Sequence, residues 1–191
     1  MGELYLHNLD QYSCNVFVET GTGIGTGLAY ALTHNFDKLY SMEINYQLYH
    51  ECKDKFNDSR LELIHNTSLS GLKIILPELD KNDKVLFWLD AHFPGADFQL
   101  GSYDDKISEI LKLPLKSEIE LIHKTRKNCK DVFIIDDLQL FEDGDYELKW
   151  EQDFIDKFRR SNEFIYNLYS KTHNFIKDYR HQGFLILEPK Q

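Results

Sequence analysis

Hydrophobic positions along the chain follow two alternating spacings. Short runs rich in β-branched and aromatic residues, typical of buried strands, alternate with stretches in which apolar residues recur every three or four positions, as in helices. The predicted strands are Asn15–Glu19, Lys38–Ile44, Leu61–His65, Val85–Asp90 and Val132–Asp136. The predicted helices are Thr26–Thr33, Gln47–Phe56, Ser68–Leu76, Leu115–Lys127 and Trp150–Arg159.

This alternation predicts an α/β fold that is Rossmann-like and doubly wound. Repeated strand–helix units build a mostly parallel sheet with helices on both faces. Two further β-rich runs, Glu163–Tyr169 and Gly183–Glu188, leave no room for a crossover helix of normal length between them. We therefore predict an antiparallel strand near the C-terminus. No repeat or linker divides the 191 residues, so we expect a single domain over residues 1–191.

A glycine-rich loop, Glu19-Thr20-Gly21-Thr22-Gly23-Ile24-Gly25, lies between the first predicted strand and the first predicted helix. Ligands of open parallel sheets bind beyond the carboxyl ends of the strands, where glycine allows close backbone approach. The nicotinamide fingerprint G-x-G-x-x-G requires glycine where Thr26 or Leu28 stands, and no Walker lysine follows the loop. The loop thus favours a ligand without a pyrophosphate, with a purely structural turn as the alternative.

The pattern acidic-x-Gly-x-Gly-x-Gly resembles the first motif of the class I S-adenosylmethionine-dependent methyltransferases. This resemblance implies S-adenosylmethionine as cofactor, with a strand-end acid for the ribose and polar residues after the third strand for the adenine. The cofactor-binding residues it implies are Glu19, Thr20, Gly21, Gly23, Gly25, Glu43, Asn66, Thr67, Ser68 and Asp90. For Ser68, capping of the following helix is the alternative role.

Three carboxylates follow two neighbouring predicted strands. Asp90 ends the fourth strand, and Asp136 and Asp137 end the fifth. Carboxylates that meet at one edge of a sheet repel one another unless they are protonated or bridged by a cation. Oxygen ligands suit Mg²⁺ or Mn²⁺ better than Zn²⁺. The sequence therefore predicts a divalent-metal site at Asp90, Asp136 and Asp137, with turn-capping acids as the alternative.

Four motifs carry a narrower resemblance over about residues 15–140. They are FVETGTGIGTG, FWLDAHF, PLKSEI (Pro114–Ile119) and FIIDD. Together they resemble small metal-dependent sugar O-methyltransferases related to the macrolide deoxysugar methyltransferases. The resemblance implies that the acceptor is a sugar hydroxyl, of a glycan or a deoxyhexose, and that the three aspartates hold the metal. A catechol-type small-molecule O-methyltransferase and a nicotinamide-dependent oxidoreductase remain the alternatives.

His92 is the first candidate for the base that deprotonates the acceptor. It lies two residues beyond Asp90, and an ordinary histidine pKa of about 6.5 suits proton transfer near neutral pH. Asp90 is the second catalytic candidate, and a histidine that only orients Asp90 is the alternative. For the acceptor, candidate residues are Tyr103, Asp104 and Asp105 in the long loop after the fourth strand, and Tyr179–His181 before the last strand.

The composition of the chain argues against several classes of binding partner. The net charge of −10 disfavours binding to a nucleic-acid backbone. The three cysteines form neither a disulfide framework nor a zinc pattern. We see no signal peptide and no apolar run of the roughly 18 residues that a membrane span needs. We expect a soluble cytoplasmic protein with a sugar or glycan acceptor, acting as a homo-oligomer or as a domain of a larger glycan-synthesis enzyme.

Overall fold

In the described part of the chain, seven strands form one sheet that is mostly parallel. The computed structural model describes residues 3–104 and 106–191, so Asp105 lies outside the described residues. The strands are β1 (Val16–Thr20), β2 (Lys38–Glu43), β3 (Leu61–His65), β4 (Val85–Leu89), β5 (Val132–Ile135), β6 (His173–Asp178) and β7 (Phe184–Pro189). Their order is β3-β2-β1-β4-β5-β7-β6, and β7 runs antiparallel to both neighbours. The predicted Rossmann-like α/β architecture is confirmed.

Helices cover both faces of the sheet. They are α1 (Thr26–Ala31), α2 (Tyr46–Lys55), α3 (Ser68–Ile75), α4 (Glu109–Lys112), α5 (Leu115–Arg126), α6 (Gln152–Phe158) and α7 (Glu163–Tyr169). Apolar side chains of α3, α5 and α7 pack on one face, and those of α1 and the N-terminal turns pack on the other. None of the helices in the described ranges is long and apolar enough to cross a bilayer.

The segment Glu163–Tyr169 is helix α7, so its prediction as a strand is wrong. Its aromatic and β-branched residues favour a strand locally. Ile165 and Tyr169, however, are spaced one helical turn apart and both are buried in the core that α5 shares. The antiparallel partner of β7 is instead β6, which the sequence analysis missed. This strand lies at the edge of the sheet and is mostly exposed, so it lacks the apolar pattern of a buried strand.

The carboxyl ends of three adjacent strands finish at one level. Thr20 of β1 lies opposite Leu89 of β4, and Leu89 lies opposite Ile135 of β5. After β1 the chain continues to β2, which lies on one side of β1 in the sheet. After β4 it continues to β5, which lies on the opposite side of the β1–β4 pair. Such a reversal of strand order opens a crevice beyond the strand ends. The loops that follow β1, β4 and β5 therefore converge on one place.

A buried ion pair ties the other edge of the sheet together. Arg126, at the end of α5, donates to both carboxylate oxygens of Asp131 over 2.8 Å. The guanidinium also donates to the carbonyl oxygens of Asp80 and Asp83, and Asp131 accepts from the backbone N–H of Val85. Every charged atom of the pair thus has a partner, and the beginnings of β4 and β5 are fixed relative to α5.

Removal of this arginine is expected to destabilise the fold strongly. Arg126→Met leaves Asp131 as a buried charge without its cation, which typically costs about 3–5 kcal/mol. The free energy of unfolding, measured with urea, should fall by that amount. Lys116→Met is the matched control, because Lys116 on the same helix forms only an exposed pair with Glu120 and should change stability by less than about 1 kcal/mol. Equal losses in the two variants would contradict this role of the buried pair.

Candidate functional site

A cleft of about 890 Å³, open to solvent, lies beyond the ends of β1, β2 and β4. We call it the main cleft. It is lined by the glycine loop, by the ends of β2 and β3, and by the loop after β4. The predicted residues that line it are Glu19, Gly21, Gly23, Glu43, Asn66, Thr67, Ser68, Asp90 and His92.

Backbone contact joins the glycine loop to the loop after β4. Gly21 has a φ of 82°, which L side chains rarely adopt. A Cβ at this position would lie 2.9 Å from both the Cα of Ala91 and the carbonyl oxygen of Asp90. The atoms in the way are backbone and cannot rotate aside. The close approach therefore requires glycine, and it fixes the distance between the two loops.

Two buried glutamates shape the floor of the main cleft. Glu43 accepts hydrogen bonds from the backbone N–H groups of Gly23 and Asn45, over 2.8 and 2.7 Å. It thereby holds the glycine loop against β2, and burial raises the pKa of Glu43. Glu19 accepts from the hydroxyl of Ser41 over 2.5 Å, and burial raises the pKa of Glu19 to about 8.

Three predicted cofactor residues also have local structural roles. Thr67, rather than Ser68, caps α3, because its hydroxyl accepts from the backbone N–H of Ser70 over 3.1 Å. Thr20 is fully buried, and Gly25 directly precedes α1 as its N-cap; neither is among the described residues that line the main cleft. Their predicted contact with a cofactor stays a prediction.

His92 lies in the middle of a carboxylate cluster. Its Nδ1 is 2.9 Å from the carbonyl oxygen and 3.4 Å from Oδ1 of Asp90, and its Nε2 is 3.3 Å from carboxylate oxygens of both Asp97 and Asp137. Tyr103 donates a hydrogen bond to Asp97 from the opposite side. Burial opposes a charge on His92, but the three carboxylates outweigh it and raise the pKa of His92 well above its usual value.

Asp137 stands at a sharp corner after β5. Its φ of 56° is left-handed, and it follows Asp136, whose backbone N–H donates to the carbonyl oxygen of Leu89. The next residue, Leu138, donates its N–H to the carbonyl oxygen of Gly183, just before β7. Burial raises the pKa of Asp137 to about 6. The corner turns the Asp137 side chain toward His92.

The geometry of the cluster fits a bound cation. Ligand atoms of Asp90, His92 and Asp137 lie within 4.8 Å of one another, and the buried Oδ2 of Asp137 faces Nε2 of His92 at 3.3 Å without a hydrogen bond of normal geometry. Asp136 is not a member of that group among the described residues, although it is buried and burial raises its pKa well above the usual value. Of the three predicted metal ligands, two are therefore brought together, and His92 joins them.

A second pocket lies on the other side of His92, and we call it the aromatic pocket. Its volume is about 730 Å³. Four aromatic side chains and five polar ones line it: Phe93, Tyr103, Trp150, Phe154, His92, Asp97, Asp137, Glu151 and Gln182. His92, Phe93 and Asp97 line the main cleft as well, so these residues form a wall shared by the two spaces.

Comparisons with known proteins identify the fold. No protein-family model and no curated protein sequence matches the chain. Among solved structures, it is similar to a candidate caffeoyl-CoA O-methyltransferase from Staphylococcus aureus, with a TM-score of 0.63 and 15% identity over 98% of this chain and 80% of that one. A candidate O-methyltransferase from Klebsiella pneumoniae matches with a TM-score of 0.56 and 12% identity, over 96% and 76% of the two chains.

A third similar structure was solved with S-adenosylhomocysteine. It is a candidate methyltransferase from Streptococcus mutans, with a TM-score of 0.54 and 12% identity over 92% of this chain and 89% of that one. The fold is that of the class I methyltransferases. The antiparallel β7 between β5 and β6 fits this assignment, because the dinucleotide-binding fold has the all-parallel order 3-2-1-4-5-6.

Within this methyltransferase fold, several residues of the site escaped the sequence analysis. Asp97, Trp150 and Phe154 lie in or near loops, where no spacing signals which side chains will meet. Glu118 of α5 is also buried close to the site, and burial raises its pKa to about 7. Its only signal was its place in the PLKSEI motif. Of the acceptor candidates, Tyr103 lines the aromatic pocket, whereas Asp104 forms an ion pair with Lys157.

Replacement of Gly21 by alanine is expected to disrupt the main cleft. The added Cβ would press on the backbone of Asp90 and Ala91 and would strain φ, each at a typical cost of about 1–3 kcal/mol. Binding of S-adenosylhomocysteine, measured by calorimetry, should weaken by about tenfold or more.

Ile24→Ala is the control for this experiment, since Ile24 belongs to the same loop but is exposed. It should leave the affinity unchanged, and thermal unfolding should confirm that both variants are folded. A folded Gly21→Ala protein with undiminished affinity would refute the proposed importance of the backbone contact.

Proposed function

We propose that this protein is an S-adenosylmethionine-dependent O-methyltransferase that acts on a sugar hydroxyl with the help of a divalent metal. One observation carries the proposal: His92 stands in a wall that the main cleft and the aromatic pocket share. A group transferred from a ligand in one space to a ligand in the other would pass beside this histidine. The main cleft suits the cofactor, because it contains the glycine loop.

Residues of the main cleft provide what S-adenosylmethionine requires. Glu43 uses one lone pair on each oxygen for the backbone N–H groups and keeps others for the ribose hydroxyls. Asn66 and Thr67 line the side of the cleft near β3, where the adenine would lie. When bound, the cofactor supplies an electrophilic methyl group on a sulfonium.

The chain's own task is to prepare the acceptor oxygen. A new C–O bond forms as the C–S bond breaks, and the hydroxyl proton must leave. In this mechanism the proton goes to His92 or to a carboxylate of its cluster, while the aromatic pocket holds the acceptor. The three carboxylates around His92 raise its pKa well above the usual value, which works against its role as a base.

Asp90 and Asp137 would hold a divalent cation, with His92 beside them. Such a cation would lower the pKa of the acceptor hydroxyl and would offset part of the carboxylate charge that raises the pKa of His92. Asp136 would support the site from the end of β5. The sugar acceptor itself rests on the four motifs that resemble sugar O-methyltransferases.

Methylation of a catechol is the second candidate function. The four aromatic side chains of the aromatic pocket would suit an aromatic ring as well as the apolar face of a sugar. The name of the S. aureus structure points to an aromatic acceptor joined to coenzyme A. The phosphates of such an acceptor would need cationic partners, and no lysine or arginine lines either space in the described part of the chain.

Calorimetry with S-adenosylhomocysteine tests the proposed cofactor. We expect micromolar binding, which is about −8 kcal/mol, and no binding of NADH. The absence of S-adenosylhomocysteine binding, with or without Mg²⁺, would refute the proposed function. Binding of NADH instead would support the oxidoreductase alternative. Transfer of radiolabelled methyl to panels of sugars and catechols would then separate the two acceptor classes.

Metal binding is tested with Mn²⁺ and electron paramagnetic resonance. We expect Asp137→Asn to weaken Mn²⁺ binding by about tenfold or more, because it removes a charged ligand. Asp153→Asn, which changes an exposed acid on α6, should have no effect. Methyl transfer should stop in EDTA and return with Mg²⁺. Full activity in EDTA would contradict the proposed metal requirement. It would mean that the positive charge of His92 alone offsets the negative charge of the carboxylates.

A further inference from the structure

The aromatic pocket has stiff walls made of rings that contact one another. Phe93 and Tyr103 have ring centroids 5.2 Å apart, and Trp150 and Phe154 are also 5.2 Å apart. Tyr103 meets Phe154 edge to face, again at 5.2 Å. Such edge-to-face contacts hold the rings in place. A ligand that enters therefore meets flat apolar surfaces that need little reordering.

The polar groups of the pocket are mostly acidic. Asp97, Asp137 and Glu151 line it, and His92 is the one lining side chain in the described residues that can carry a positive charge. His92 already faces Asp97 and Asp137 at 3.3 Å. Glu151 is exposed at the beginning of α6 and takes part in no ion pair with the rest of the described chain.

Two lysines close in sequence to Trp150 and Glu151 form exposed ion pairs. Lys157 pairs with Asp104, and Lys149 pairs with Asp145. The whole chain carries a net charge of −10, which adds to the negative potential around the pocket. A phosphate or carboxylate entering here would lose its water and meet no lysine or arginine among the described residues that line the pocket.

We propose that the aromatic pocket binds the acceptor as an uncharged ring stacked on Trp150, and that Glu151 rejects acceptors bearing a phosphate or carboxylate. This inference rests on the proposed function and makes the acceptor class narrower: a free or glycosidically linked neutral sugar, not a sugar phosphate, a nucleotide sugar or a uronic acid. Gln182, on the pocket wall, offers an amide that both donates and accepts hydrogen bonds to sugar hydroxyls.

Trp150 reports on the pocket directly. The chain has two tryptophans, and the other, Trp88, is fully buried in the sheet. Fluorescence quenching by added solutes therefore measures access to Trp150. We expect caesium ions to quench more efficiently than iodide by about threefold or more, with each quencher normalised to free N-acetyltryptophanamide at equal ionic strength.

Matched variants assign this difference to Glu151. Glu151→Gln should reduce the caesium-to-iodide ratio toward that of the free compound. Glu163→Gln removes an exposed acid on α7, outside the pocket, and should leave the ratio unchanged. Equal quenching by the two ions in the unaltered protein would overturn the proposal that the pocket selects against anions. This measurement needs no cofactor, so its result does not depend on whether the proposed function is correct.

Ligand binding tests the second half of the proposal. Binding of sugars is followed by Trp150 fluorescence with S-adenosylhomocysteine present. The uncharged ligands are methyl hexosides and methyl 6-deoxyhexosides. Their charged counterparts are the methyl uronides and the 6-phosphates of the hexosides. We expect at least one neutral sugar to bind. Its charged counterpart should bind with an affinity at least about tenfold lower. Glu151→Gln should narrow that difference.

Stacking is checked by calorimetry with the best neutral sugar. Trp150→Ala should abolish its binding, whereas Trp150→Phe should keep most of it, because a flat ring remains. The proposal is overturned if no neutral sugar binds, if charged and neutral counterparts bind equally, or if Trp150→Ala binds normally. Failure of S-adenosylhomocysteine to bind would instead refute the proposed function and leave the quenching result intact.

Discussion

The contact between Gly21 and the backbone of Asp90 and Ala91 is the constraint on which the site depends. It brings the loop after β1 within van der Waals distance of the loop after β4. One loop lines the main cleft, and the other carries His92 and continues into the aromatic pocket. A side chain at position 21 would separate them. The two spaces can share one wall only because glycine lets two backbones touch.

That wall concentrates charge around a single imidazole. Three carboxylates face His92, and burial makes each uncompensated charge expensive. Within the cluster, Tyr103 and His92 hold the pKa of Asp97 below its usual range against the effect of burial, whereas burial raises the pKa of Asp137. The pKa of His92 therefore depends on the negative charge of the three carboxylates that face it.

Much of the fold could be predicted from the sequence, because buried strands and amphipathic helices leave strong periodic signals. The carboxyl ends of β1, β4 and β5 were placed within a residue, and with them Gly21, Asp90 and Asp136. The failures have local causes. Residues 163–169 have the composition of a strand, but their packing against α5 favours a helix. Strand β6 is too exposed to show the apolar pattern of a buried strand.

The site was less predictable than the fold. His92 and Asp137 followed from strand ends, whereas Tyr103 and Phe154 come into contact only when the long loop and α6 pack together. No spacing along the chain indicates that contact. The main cleft is built from strand ends and could be foreseen, whereas the aromatic pocket is built from loops and α6 and could not.

The position of β7 also has a consequence for how the site is made during synthesis. β5 has β4 on one side and β7 on the other, and the corner at Asp137 is held by a hydrogen bond to Gly183. A ribosome delivers β4 and β5 long before β7. The glycine loop can therefore form early on the growing chain. The Asp137 corner can form only after β7 has been synthesised and has paired with β5. A nascent chain interrupted before that point would carry half of its site, with the acids after β5 still exposed.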